Sequence, residues 1–153
     1  MHIDILQANR DDLETILQLQ KDCYITEAEI YDDYNIQPLL QDLKSLENEF
    51  EHTVILKGVI DGEIVGSVRG FLDDETAYIG KLIVRKDFQN NGIGRLLLDA
   101  IESTFKESNR FELFTGFKSQ KNLYLYNKLG YKEFKRQIVN DNLELIYLEK
   151  RNE

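Results

Sequence analysis

An apolar run from Tyr78 to Val84 ends in a polar turn carrying two glycines two residues apart, Gly92 and Gly94, and a strongly helical segment, Arg95 to Phe105, follows at once. No other stretch limits the fold as much. At a helix start the backbone N–H groups point outward without partners, and the summed peptide dipoles place partial positive charge there. Glycines let a phosphate approach that backbone with no Cβ in the way, so strand, glycine turn and helix make an anion cradle. A P-loop needs Gly-x-x-x-x-Gly-Lys-Ser/Thr, and Arg95-Leu96 follows the second glycine here, so that reading fails. A dinucleotide fingerprint needs a third glycine where this chain has Leu97.

What remains, Gln89-x-x-Gly92-x-Gly94 after an apolar strand, resembles the acetyl-CoA-binding motif of the GNAT N-acetyltransferases, Gln/Arg-x-x-Gly-x-Gly/Ala. Further on, Ser119 to Tyr131 reads as one short amphipathic helix, with Leu125 and Leu129 four apart and Gly130 where a C-cap belongs. It is similar to the second signature of the same family, in which a helical tyrosine, here Tyr126, precedes Leu-Gly-Phe/Tyr. Two signatures in the family's order are more specific than either alone. The resemblance covers residues 53 to 149; residues 1 to 52 match only in element order.

The resemblance implies a site. The amides of Gln89, Asn90, Asn91, Gly92, Ile93, Gly94 and Arg95 would hold the pyrophosphate of acetyl-CoA. The pantetheine arm would lie along main-chain groups of Leu82, Ile83 and Val84, in a cleft made by a splay between that strand and Phe111 to Thr115. Tyr126 would act as general acid: a phenol of pKa near ~10 can protonate a thiolate whose thiol has pKa near ~8.5. Asn122 would bond the pantetheine or the preceding turn. The family commonly has an asparagine seven residues before the tyrosine; Ser119 stands there, and can still donate a hydrogen bond. For the general base, Glu112 on the strand beside the cleft, Glu27 and Glu29 are all candidates. The branch that acetylates protein N-termini has a glutamate where this chain has Phe114, which disfavours that acceptor.

Charge adds a direction. Between Asp11 and Glu51 stand 12 acidic residues against Lys21 and Lys44, a net of −10, while the whole chain is −9. The excess negative charge is therefore N-terminal, and Arg85, Lys86, Arg95, Lys118, Lys121 and Lys128 surround the expected phosphate site. An anionic cofactor on one side and a small cationic amine on the other suit that asymmetry. Tyr24, Tyr31 and Tyr34, beside Glu27, Glu29, Asp32 and Asp33, would cage such a cation or form a hydrophobic flap with a solvated acidic edge. Overall acidity argues against nucleic acid as partner. His2, His52 and Cys23 give no metal-ligand spacing.

A chain of 153 residues with 42% hydrophobic content is expected to form a single domain spanning 1–153. A single cysteine excludes an internal disulfide and favours a reducing cytoplasm. The first residues lack a signal-peptide pattern, and no apolar run reaches the ~20 residues of a membrane span. A homodimer is compatible with this size.

The periodicity predicts β-α-α-β-β-β-α-β-α-β-β, an α+β mixed sheet. Ile3 and Ile5 belong to a first strand, and Asn9 or Asp11 caps a helix with Leu13, Ile16, Leu17 and Cys23 or Tyr24 on its apolar face. Pro38 opens a second helix with Leu39, Leu40, Leu43, Leu46 and Phe50 on one face. Asp61-Gly62 joins two strands, and Asn140-Asp141-Asn142 turns the last pair. With the family resemblance, this means about seven mostly antiparallel strands flanked by four helices. Three readings of function stay open: an acetyl-CoA-dependent N-acetyltransferase, a silent acyl-CoA-binding module, and an interaction domain.

Overall fold

The computed structural model describes residues 2–152. Strands β1 (Asp4–Gln7), β2 (Val54–Ile60), β3 (Glu63–Asp73), β4 (Thr76–Val84), β5 (Arg110–Gly116), β6 (Lys132–Ile138) and β7 (Glu144–Arg151) form one sheet ordered β1-β2-β3-β4-β5-β7-β6. Every neighbouring pair is antiparallel except β4 and β5. The expected α+β class and seven-stranded mixed sheet are both present.

Among the described residues the α-helices number five rather than four: α1 (Leu13–Tyr31), α2 (Gln37–Leu40), α3 (Leu43–Phe50), α4 (Ile93–Thr104) and α5 (Gln120–Lys128). The helix expected from Pro38 onward breaks at Gln41-Asp42. Asp42 takes an extended backbone and its side chain accepts from the Ser45 amide at 2.8 Å, so it starts a new helix. Gln41 is buried, where its side chain meets Gln20 (3.0 Å), Ser45 (3.2 Å) and Glu49 (3.1 Å). Apolar spacing ran on through this point, but local side-chain bonds interrupted the backbone.

Alternation along β2 sends Leu56 to one face of the sheet and Ile55 to the other. On the first face Ile93, Leu97, Leu98 and Ile101 of α4 pack with Tyr126 of α5 over Val65, Val68, Ile79 and Leu113. On the second, Leu13, Ile16 and Leu17 of α1 and Leu46 of α3 cover Ile55. Each such burial contributes about 1.5–3 kcal/mol.

The feature that makes a site lies between β4 and β5. Their parallel ladder has only three rungs, ending at Tyr78–Glu112. Ser67 of β3 pairs with Ile83 and Arg69 with Gly80, so Val68 faces two residues of β4, Lys81 and Leu82. Lys81 takes the left-handed conformation, φ 51°. Such a bulge bends its strand and sharpens the twist. Here it turns the second half of β4 away from β5 and opens the sheet.

Candidate active site

A groove of about 660 Å³ lies between the end of β4, α1 and the starts of α4 and α5. Its phosphate-sized end is the turn before α4. Gly92 sits at φ 78° as the N-cap, a conformation that a side chain would strain, and no side chain caps the helix. Among the described residues no carbonyl or side chain accepts from the amides of Asn90 through Arg95; the first bond of the helix is Leu96 N to Gly92 O, 3.1 Å. Asn91 shapes the turn, donating through Nδ2 to the Phe88 and Gln89 carbonyls, both at 3.2 Å. Lys86, Arg95, Lys118 and Lys121 line the groove, whereas Arg85 is paired with Asp87 at 2.8 Å.

The three strand residues expected to hold the pantetheine arm differ from one another. Arg85 N donates to Val65 O at 2.7 Å, which sets the antiparallel alternation: Ile83 turns its main chain to β3, and Val84 turns its own to the open side. The Val84 carbonyl already accepts from Gln89 Nε2 at 3.0 Å and from the Cys23 thiol at 3.3 Å. Leu82 lines the groove and the cavity described next.

A second cavity, about 700 Å³, opens on the α1–α3 side of the sheet. Tyr24, Glu27, Leu82 and Asn122 line both spaces and mark their junction. Tyr126 reaches the cavity from α5; it is 5% exposed, and among the described residues its hydroxyl takes no protein partner. Burial pushes its phenol well above the ordinary range, and the charges of Tyr24 and Glu27 add to that. Tyr24 is raised for the same first reason, with Glu27 again contributing.

Ser119 and Asn122 are held by the protein. The Lys118 amide donates to the Tyr31 hydroxyl (2.8 Å), Tyr31 bonds Ser119 Oγ (2.9 Å), and Ser119 donates to Glu27 Oε2 (2.8 Å). This chain of bonds fixes the Glu27 carboxylate where the two spaces meet. It depends on Gly116, since a Cβ there would lie 2.1 Å from the Tyr31 hydroxyl oxygen. Asn122 Nδ2 donates to Thr115 Oγ1 at 3.3 Å. Glu112 lines the cavity, but its carboxylate is paired with Arg110 Nη1 at 2.9 Å. Of the expected aromatic cage, Tyr24 and Tyr31 line the cavity, and Tyr34 is 54% exposed.

Sequence reasoning passed over Lys81, Arg69 and Glu49, which also line the cavity. Arg69 is 3% exposed and pairs with Glu49 at 2.7 Å and with Gln20. One signal was present: Gly80-Lys81 interrupts an apolar strand, and a glycine within a strand marks a bulge.

The sequence profile of the acetyltransferase (GNAT) family matches residues 13–131. This chain belongs to the GNAT family. A relative of the GNAT chain, an uncharacterised N-acetyltransferase of Chlorobaculum tepidum, is 30% identical over 96 residues, spanning 61% of this chain and 60% of the relative. The PaiA N-acetyltransferase of Thermoplasma acidophilum, solved with coenzyme A, superimposes with a TM-score of 0.83 at 20% identity, covering 99% of each chain. YncA of Salmonella typhimurium, a putative acetyltransferase solved with acetyl-CoA, gives 0.76 at 14% identity, covering 100% of this chain and 95% of that one. These structural likenesses concern the fold. Among the described residues no helix of the GNAT chain is long and apolar enough to cross a membrane, and no cluster of three His, Cys, Asp or Glu is placed to hold a metal.

Proposed function

We propose that this chain is an N-acetyltransferase that passes the acetyl group of acetyl-CoA directly to the primary amine of a small molecule in a reducing cytoplasm. The observation that carries this reading is the meeting of two spaces at Tyr24, Glu27, Leu82 and Asn122, with Tyr126 lining the second of them. One has the partner-free amides of a helix start, and the other is deep enough for a small acceptor. Two structural relatives were solved with coenzyme A or acetyl-CoA, in line with that use of the groove.

Acetyl-CoA supplies the acyl group as a thioester. In our reading Asn90 to Arg95 hold the diphosphate through main-chain N–H groups, with Lys86, Arg95, Lys118 and Lys121 adding positive charge. The outward main chain of Val84 aligns the arm along the open edge of β4. Transfer makes a C–N bond and breaks the C–S bond. The acceptor ammonium sheds two protons in all, and the departing sulfur takes one. Tyr126 is the group we assign to that last proton, because its raised pKa keeps it protonated and its hydroxyl is uncommitted. For the proton taken from the acceptor we favour Glu27 over Glu112. Glu27 stands at the junction, positioned by Ser119, while Glu112 is engaged by Arg110. No serine or cysteine nucleophile is required, and burial pushes the Cys23 thiol up to about 11.

The test is thiol release from acetyl-CoA across a panel of small amines, basic peptides and peptide N-termini. Turnover with a small amine supports the reading. Calorimetric binding of acetyl-CoA with no turnover on any acceptor would replace it with a silent acyl-CoA-binding module.

A further inference from the structure

The charges of the acceptor cavity do not balance in the way the acidic N-terminal region led us to expect. Each of its four carboxylates has a hydrogen-bond partner, but only Glu49 and Glu112 are paired with a cation. Glu49 is held by Arg69 and Gln41, and Glu112 by Arg110. Asp33 accepts from Asn140 Nδ2 at 2.9 Å and from the Asn35 amide at 2.9 Å. Glu27 accepts from Ser119. Of the cavity's two cations, Arg69 is neutralised by Glu49. Lys81 is the exception: among the described residues it makes no ion pair within 4.0 Å and no side-chain hydrogen bond.

Its placement is specific. Lys81 occupies the bulge that opens the sheet, in a left-handed backbone that costs a lysine energy where a glycine would have none. The preceding residue is Gly80, so the chain had a flexible alternative next door. The bulge turns the side chain to the face carrying Arg69 and Glu49, one residue before Leu82, which lines both spaces. Burial and the charge of Arg69 bring its ammonium down to about 8, with Glu49 opposing. A half-buried cation that shares its nearby carboxylate, Glu49, with Arg69 is costly, and an anion brought by a ligand removes that cost.

We infer that Lys81 is the recognition point for an oxyanion on the acceptor, so that the amine acetylated belongs to a molecule also bearing a carboxylate or a phosphate. The amine lies at Glu27 and Tyr126 while the anion lies on Lys81. Such an acceptor meets both signs of charge in the cavity, whereas a simple diamine leaves Lys81 facing a second cation. This deepens the transfer reading and rests on it.

The experiment compares kcat/KM for β-alanine and O-phosphoethanolamine, the two sources of the anion, with that for propylamine and 1,4-diaminobutane, which carry none. Wild type should prefer an anionic amine by at least about ten-fold, the worth of one charge-assisted contact at ~1.4 kcal/mol. Which of the two is better decides between carboxylate and phosphate. Lys81→Met should cut the anionic-to-anion-free ratio at least about ten-fold, mainly through KM, and Lys81→Arg should keep much of it. Acetyl-CoA affinity by calorimetry reports whether each variant is folded. Equal or better use of the anion-free amines by wild type would overturn the inference without any variant. So would an unchanged ratio in Lys81→Met. Absence of thiol release with every amine is a different failure, that of the transfer reading itself.

Discussion

The groove and the cavity, proposed for cofactor and acceptor, have similar volumes, about 660 and 700 Å³, yet they are built in opposite ways. The groove takes most of its chemistry from one continuous segment, Leu82 to Arg95, and chiefly from main-chain N–H groups at a helix start. The cavity gathers side chains from α1, α3, β3, β4, β5 and α5, so that nearly every contact crosses the sequence. A main-chain site tolerates change in most side chains and suits a ligand that never varies. A side-chain site is altered by single substitutions and suits a partner that differs from one family member to the next. On the proposed reading, cofactor recognition rests on the backbone and acceptor choice on a few residues.

Gly92→Val attacks the groove and should have the largest effect. A Cβ at Gly92 meets no protein atom within 4 Å, so the substituent projects into open space, with added strain from φ 78°. Losing two charge-assisted bonds of ~1.5 kcal/mol each should weaken acetyl-CoA binding by about 10²-fold. Calorimetry beside a near-native circular-dichroism spectrum is the check; unchanged affinity would place the phosphate cradle elsewhere.

Tyr126→Phe acts in the cavity, on the residue assigned to the sulfur's proton. General acid–base groups contribute about 10²–10⁴-fold, so single-turnover rates at saturating acetyl-CoA should fall at least ten-fold even if water substitutes in part. Affinity for acetyl-CoA should barely move, because the lost contact is made during reaction. Burial, then the charges of Tyr24 and Glu27, hold the wild-type phenol above its ordinary pKa of ~10. The protonated form therefore persists through that pH, and with acceptor also saturating the wild-type rate should show no alkaline decline up to pH ~10, whereas the KM of an anionic amine should rise above about 8 as Lys81 loses its charge. A variant matching wild type would make Tyr126 a packing residue.

Ser119→Ala removes a side chain that lines the groove and cuts the bonds that run from Tyr31 to Glu27 at the junction. Leaving a buried hydroxyl short of a partner costs about 1–3 kcal/mol, which corresponds to a melting temperature lower by roughly 2–10 °C. The acceptor KM should rise a few-fold with acetyl-CoA affinity kept. Loss of acetyl-CoA affinity instead would show that Ser119 serves the groove directly.

Ionic strength should produce the smallest change. Asp12 is paired with Lys57 at 2.8 Å and Glu49 with Arg69 at 2.7 Å, so part of the N-terminal acidity is already neutralised. The remaining exposed charge is screened beyond about 8–10 Å at ordinary salt. The KM of a dicationic amine should rise with salt, and that of a zwitterion should stay nearly level. A zwitterion with steep salt dependence would mean that surface charge, rather than the cavity, selects the acceptor.

The two regions also differ in how far they could be read in advance. The strand, the turn at Gly92 and α4 were legible because a helix start and its glycines are local in sequence. The Tyr126 helix was legible for the same reason, with its leucines four apart and Gly130 at its end. The break at Gln41-Asp42 was not, since it depends on Gln20 and Glu49 reaching Gln41 from other helices. Nor was the bond that Ser119, expected beside the cofactor, makes to Glu27 on α1. Glu112 read as a base candidate, and its ion pair with Arg110 on the same strand became visible only with the fold.

By itself, then, the sequence determined the order of elements, the α+β class and the glycine turn at a helix start, because periodicity, caps and glycine conformation act over a few residues. Only the tertiary structure decided which carboxylates are engaged and which of the cavity's cations, among the described residues, is left without an ion pair. Lys81 is a charged residue in an apolar strand until β3 and β4 lose register around it. Electrostatic balance is settled between side chains far apart in the chain, and the fold alone sets those distances.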